Sequence, residues 1–192
     1  MNSEISLIPI LPVNKFMLPG ITYSIALNHN EFENYLKELV MYDKEIGVPY
    51  WFCDKYNVYG CTATIQNINV NRDKGFSRLK VMAKSIFRLT TYSKNANTDL
   101  PNHANVELIS LSDHYITNPT VIENFLLLTN SKKETINLEM NLLDILRWLN
   151  LKPELTFAII SKNCKQERED LLNKILNFYL SIGVQSSIYE HN

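Results

Sequence analysis

Apolar and polar residues alternate along the first half of the chain and recur at helical spacing along the second. In Ile21 to Leu27, the residues Ile21, Tyr23, Ile25 and Leu27 fall on one side of an extended backbone, because successive strand side chains point to opposite faces. Ser6 to Leu11 reads as a short apolar strand whose prolines suit an edge or a strand end. Gly47 to Cys53 reads as a strand in which Pro49 demands an edge or a bulge. Val58 to Val70, Leu79 to Tyr92 and Val106 to Leu111 complete the strand set. Pro19-Gly20 is a turn, proline presetting φ and glycine accepting φ > 0. Asn71 to Gly75 is a second turn, and Ser93 to His103 a polar loop.

One helix interrupts this half. Asn30 and Glu33 form a capping pair, and Phe32, Tyr35, Leu36, Leu39 and Val40 follow on one face as far as Tyr42. The second half is helical throughout. Asn118-Pro119 supplies an N-cap and a first-turn proline. Further helices are expected over Glu134 to Leu149, Pro153 to Ser161 and Gln166 to Ile182, the last stopped by Gly183. Strands followed by helices indicate an α+β protein rather than an alternating α/β sheet. About six strands with few parallel crossovers indicate a small, partly closed barrel. The expected lobes are 1–116, rich in strands, and 117–192, helical and packed on the first.

Composition adds exclusions. With 45% hydrophobic and 20% charged residues the chain is an ordinary globular one. A net charge of −1 weighs against nucleic acid, whose binders use a basic excess to neutralise phosphate. No segment approaches the ~20 apolar residues of a membrane span, and no secretory signal is visible. Three widely spaced cysteines, Cys53, Cys61 and Cys164, make no disulfide framework and point to a reducing compartment, read as the cytoplasm.

Two segments and their spacing carry a family resemblance. Pro9-Ile10-Leu11-Pro12, Phe16, Pro19-Gly20 and the strand from Ile21 are followed by Ile46-Gly47-Val48. Gly60-Cys61-Thr62-Ala63-Thr64-Ile65 and the strand from Leu79 to Arg88-Leu89 come next. In this order they resemble the N-terminal, substrate-binding domain of the Lon protease family. Leu149 to Glu154 and Arg168 to Leu180 resemble the helical lobe of its stand-alone members. Pro49 departs from the family pattern. The resemblance implies a PUA-like pseudo-barrel of about six strands with one inserted helix, followed by a C-terminal helical bundle. It also implies a domain that binds polypeptides and does not cut them: unfolded or tagged clients, or a protease or chaperone partner.

The chemistry fits a binder. A Lon ATPase module needs a Gly-x-x-x-x-Gly-Lys-Ser/Thr loop whose N–H groups cradle phosphate, and glycines at 20, 47, 60, 75 and 183 form none. The neighbours Ser93-Lys94, Ser131-Lys132 and Ser161-Lys162 lack the desolvated, aimed lysine of a catalytic dyad. His29, His103, His114 and His191 show no metal-ligand spacing. No catalytic residue, metal or cofactor is therefore expected. The run Glu167 to Asp170 reads as a solvated face. Alternation would pack some members of the aromatic cluster inside the barrel and others under the helical lobe; the sharper reading makes Tyr50, Trp51, Phe52 and Tyr56 the candidate polypeptide-binding residues, because exposed aromatics anchor interfaces. Pro19, Gly20 and Gly60 are read as structural. The competing reading is an RNA-binding PUA-like module, resting on fold analogy. It would use Lys80, Lys84 and Arg88, which alternation places on one face of their strand. The clients and the oligomeric state are not encoded in any motif.

Overall fold

The computed structural model describes residues 5–13, 15–28, 45–52, 55–71, 76–93, 102–111, 113–129 and 140–189. The helix expected from Asn30 to Tyr42 and most of the turn from Asn71 to Gly75 lie outside these residues. The chain divides into two compact units, Met1–Ser110 and Leu111–Asn192.

The first unit is built from six strands: β1 (Ile5–Ile10), β2 (Thr22–Asn28), β3 (Glu45–Phe52), β4 (Lys55–Asn71), β5 (Phe76–Ser93) and β6 (Asn102–Ile109). They form one sheet in the order β2-β5-β4-β3-β1-β6, and β5 pairs with β6 as well. That extra pairing closes β1, β3, β4, β5 and β6 into a ring and leaves β2 outside it. Every pair is antiparallel except β1 with β3, which run parallel with Ile10 opposite Gly47. The expected partly closed barrel is thus present, within an α+β chain.

The strand β5 is long because it serves two neighbours on one side. Its first part, from Phe76 to Met82, pairs with β2. Its second part, from Ile86 to Ser93, pairs with β6. Between them, Lys84 and Ser85 together face the single residue Thr62 of β4, a bulge that bends the strand and increases its twist. Pro49 also lies at an irregularity, the register of β3 against β4 shifting between Pro49 and Trp51. This is the bulge that the proline required.

Ile8, Ile10, Phe87, Ala104 and Val106 form a buried cluster, with Leu89 packed against it. Ile8 and Ile10 of β1 and Phe87 of β5 meet Gly47 of β3, and Phe87 meets Gly60 of β4; with Ala104 and Val106 of β6 they fill the interior of the ring. A Cβ on Gly60 would collide with the Phe87 ring, with the Val48 carbonyl oxygen at 2.5 Å and with Pro49 Cα at 2.8 Å. On Gly47 it would meet only the movable ends of Ile8 at 2.7 Å and Ile10 at 2.8 Å, with the Phe87 ring further off at 3.3 Å. The other face of the sheet is apolar too: Ile25, Val48, Cys61, Ala63, Val81 and Ile86 are all buried.

The second unit holds four helices among the described residues: α1 (Pro119–Thr129), α2 (Leu142–Leu149), α3 (Pro153–Ile160) and α4 (Lys165–Tyr189). Asn118 caps α1 as its sequence indicates, Oδ1 accepting the Thr120 N–H at 3.0 Å. Of the helix expected over Glu134 to Leu149, residues 134–139 lie outside the described residues, and α2 begins at Leu142. Asn141 caps it, accepting the Leu143 N–H at 2.8 Å, and its backbone forms a bridge with Tyr115. Asn150 in the left-handed conformation ends it. Gly183 does not stop α4, which continues to Tyr189; a glycine inside a helix costs about 1 kcal/mol, which a long helix absorbs.

Glu169 is the largest departure from the sequence reading. It is not solvated but buried, at 1% exposure. It accepts the Asn118 N–H at 2.8 Å and the Thr117 N–H at 3.2 Å, so a carboxylate from α4 holds the start of α1, where the helix dipole favours it. His114 Nε2 lies 3.4 Å from the same carboxylate and Lys165 Nζ lies 3.9 Å away. Asn124 of α1 donates to Asn173 and Asn177 of α4, at 2.8 and 3.0 Å. These bonds fix the register of the two helices, because a slipped pairing would leave a buried amide unpaired.

Two outcomes follow. Gly60→Ala should cost about 3 kcal/mol, near the top of the overpacking range, and Gly47→Ala about 1 kcal/mol, because only side-chain ends must yield; urea unfolding measures both. Burial holds the His114 imidazole below its ordinary value of 6.5, the Glu169 carboxylate raises it in part, and Arg168 and Lys165 oppose protonation. The unfolded chain therefore binds the proton first. Stability should be full above pH 6.5, fall as pH drops below it, and level off once the buried imidazole is itself protonated. His114→Gln should flatten that segment of the curve of urea midpoint against pH; an unchanged slope would contradict the assignment.

Candidate functional site

The aromatic candidates separate. Tyr50 is fully buried. Its hydroxyl donates to the Met17 carbonyl at 2.8 Å and its ring lies 4.4 Å from that of Phe16. Burial pushes its phenol well above the ordinary value, with smaller contributions from Cys61 and Tyr23. Tyr50 is therefore a core residue that ties β3 to the segment before β2, and it offers no surface to a partner. It alternates with Ile46 and Val48, both also fully buried, and the period of 2 accounts for its placement. In the backbone ladder Trp51 stands opposite Tyr56 and Phe52 opposite Lys55. The side chains of Trp51, Phe52 and Tyr56 lie outside the described residues.

Lys80, Lys84 and Arg88 are all exposed, but they do not form one row. The bulge at Lys84 shifts the parity of β5 by one residue, and a one-residue shift moves every later side chain to the other face. Arg88 stands opposite Tyr59 and Glu107, on the side of Cys61 and Ile86. Lys80 stands opposite Ser24 and Asn67, on the other side. Arg88 is also neutralised locally: its Nε and Nη2 donate to Glu107 Oε2 at 3.1 and 2.6 Å. The expected basic face is broken because alternation holds only within an unbulged strand.

Gly20 lies in the turn before β2, and Gly60 lines the ring against Phe87. Gly20 has φ of 81°, the left-handed turn that follows Pro19. Its N–H donates to the Ala83 carbonyl at 2.9 Å, and the Ala83 N–H donates to the Ile21 carbonyl at 3.0 Å. These two bonds set the phase of the β2–β5 ladder. Tyr23, Ile25 and Leu27 turn their backbone groups toward β5, and Thr22, Ser24 and Ala26 turn theirs away from it. Among the described residues no strand pairs with that outer side. The side chains of Thr22, Ser24 and Ala26 are exposed. Alternation in the sequence identifies the strand, but the sequence does not show that it lies at the end of the sheet.

Reactive chemistry is sparse. Burial pushes the Cys61 thiol up to about 12, the amides of Lys84 and Ser85 opposing it, so it is a protonated packing group. The Ser161 hydroxyl donates to the Ala158 carbonyl at 3.3 Å, while Lys162 is exposed; neither serves the other. Among the described residues no group of three or more His, Cys, Asp or Glu is placed to hold a metal ion. Among the same residues no helix is long and apolar enough to cross a membrane.

Neither a family model nor a curated protein matches the sequence. Solved structures do match in shape. A Lon N-terminal domain protein from Xanthomonas campestris superposes with a TM-score of 0.66 at 18% identity, over 88% of this chain and 98% of that one. The N-terminal domain of the Mycobacterium avium complex Lon protease superposes with a TM-score of 0.60 at 14% identity, over 90% of this chain and 98% of that one. At such identities the likeness is one of fold, and the six-stranded sheet with its C-terminal helices is the fold of the Lon N-terminal domain.

Proposed function

We propose that these residues form a non-catalytic polypeptide-binding domain that takes unfolded or tagged proteins, or a protease or chaperone component, as partner. The observation that carries this reading is the fold likeness to Lon N-terminal domains over nearly the whole chain. Those domains come from a protease family, and the sequence here holds no phosphate-cradling glycine loop. The same reading assigns the protein to the cytoplasm, which suits the free thiols Cys61 and Cys164. The split basic row and the pairing of Arg88 with Glu107 weaken the case for RNA, which needs several unpaired cations facing one backbone.

Fluorescence anisotropy of labelled, reduced and carboxymethylated α-lactalbumin, a permanently unfolded chain, tests the proposal. Saturable binding that excess single-stranded RNA does not displace, without cleavage when ATP and casein are supplied, is the expected result. Tyr50→Phe should bind as the parent does and lose about 1 kcal/mol of stability, because a single buried hydrogen bond is removed. Binding that RNA competes away and salt abolishes would replace this reading with the nucleic-acid one.

A further inference from the structure

We infer that the outer edge of β2 is a docking strand for an extended polypeptide, which joins the sheet as an additional antiparallel or parallel strand. The inference rests on the polypeptide-binding reading and supplies its site and mode. Three observations converge on this edge.

The first is hydrogen-bonding capacity. Thr22, Ser24 and Ala26 alternate with the residues bonded to β5, so their N–H and C=O groups point out of the sheet. Exposed strand edges of this kind are templates for pairing with another chain. The second is the lack of protection. The strand Thr22–Asn28 is seven residues long and contains no charge and no proline, which are the residues that normally blunt an edge. Its exposed side chains at Thr22, Ser24 and Ala26 are small, so another backbone can approach.

The third is the chemistry on either side. Arg78 stands opposite Ala26 and Lys80 opposite Ser24, both exposed, on the face that carries Thr22, Ser24 and Ala26. An added strand would lie two spacings from Lys80, about 10 Å, a gap that the long lysine side chain narrows to within the ~8 Å screening length of physiological salt. Acidic side chains on that face of the incoming segment are favoured. On the opposite face Ile25 and Leu27 are buried and Tyr23 is half-buried, so apolar side chains there extend an apolar surface. The occupant is thus an extended segment of roughly seven residues in which apolar positions alternate with acidic or polar ones. A second copy of this chain suits the edge less well, because its own β2 carries no acidic side chain to face Lys80.

The test uses the full chain and reduced, carboxymethylated α-lactalbumin. Ser24→Pro deletes one outward N–H without removing any bond to β5, and proline is tolerated on such edges. It should weaken binding about tenfold or more at unchanged circular dichroism. Amide hydrogen exchange of the unaltered protein gives an independent readout: the Thr22, Ser24 and Ala26 amides should gain protection when the unfolded chain binds. Retained affinity in Ser24→Pro with no gain in protection would overturn the edge while leaving polypeptide binding intact. Protection that rises with protein concentration alone, together with dimers in sedimentation, would assign the edge to a second copy and overturn the proposal. Failure of the unaltered protein to bind would overturn both readings.

Discussion

A single strand, β5, makes the first unit possible. It has 18 residues and hydrogen-bonds to three partners, β4 along one side and β2 and then β6 along the other. No shorter strand could join the open part of the sheet to the closed ring, because each neighbour occupies about half its length. The change of partner requires a change of direction, and the bulge at Lys84 provides it. The same bulge redistributes the side chains. Before it, Leu79, Val81 and Ala83 are buried on one face; after it, Ile86 continues that face, and Phe87 enters the ring interior from the other. One inserted residue therefore gives β5 two apolar faces in succession, and it also divides the basic positions between the two sides of the sheet.

Closure of the ring depends on how near the strands come to Phe87. Gly47 and Gly60 face its ring from β3 and β4, and a side chain at Gly60 would push against the backbone of β3 as well as the aromatic ring. Burying a residue of this size contributes about 1.5–3 kcal/mol, and the contribution depends on the missing Cβ atoms beside it. Tyr50 makes a comparable connection on the other face, with the added geometric constraint that its hydroxyl must reach the Met17 carbonyl. An aromatic cluster that the sequence offers both as core and as binding surface thus begins with a residue committed to the core.

The sequence revealed what depends on local periodicity. Ile21, Tyr23, Ile25 and Leu27 share a face as alternation requires, Asn118 and Pro119 open a helix, and Pro49 marks an irregular strand. It did not reveal features set by distant partners. Lys84 is unremarkable in sequence, and its bulge exists only because Thr62 of β4 faces two residues. Glu169 stands in a charged run, yet the backbone of Thr117 and Asn118, some fifty residues away, draws it inside. Among the described residues the helix that ends at Leu149 begins at Leu142, because Asn141 takes the capping position. The edge position of β2 likewise follows from strand order, which no single segment encodes.

On the polypeptide-binding reading, the contrast between Tyr50 and the β2 edge explains what kind of recognition this fold supports. Unfolded proteins differ in their side chains and share a backbone. A buried aromatic pocket would select among them, whereas a strand edge bonds to the feature they have in common, and each bond made there replaces one to water at a modest net gain. Selectivity then has to come from the flanks. Arg78 and Lys80 on one side and the Ile25–Leu27 stripe on the other favour segments that alternate apolar and acidic residues without demanding a particular sequence. The absence of charge from β2 itself, a liability in a protein that must avoid association, then becomes a requirement of the site: a lysine at Ser24 or Ala26 would solvate the edge and keep a second backbone from reaching it.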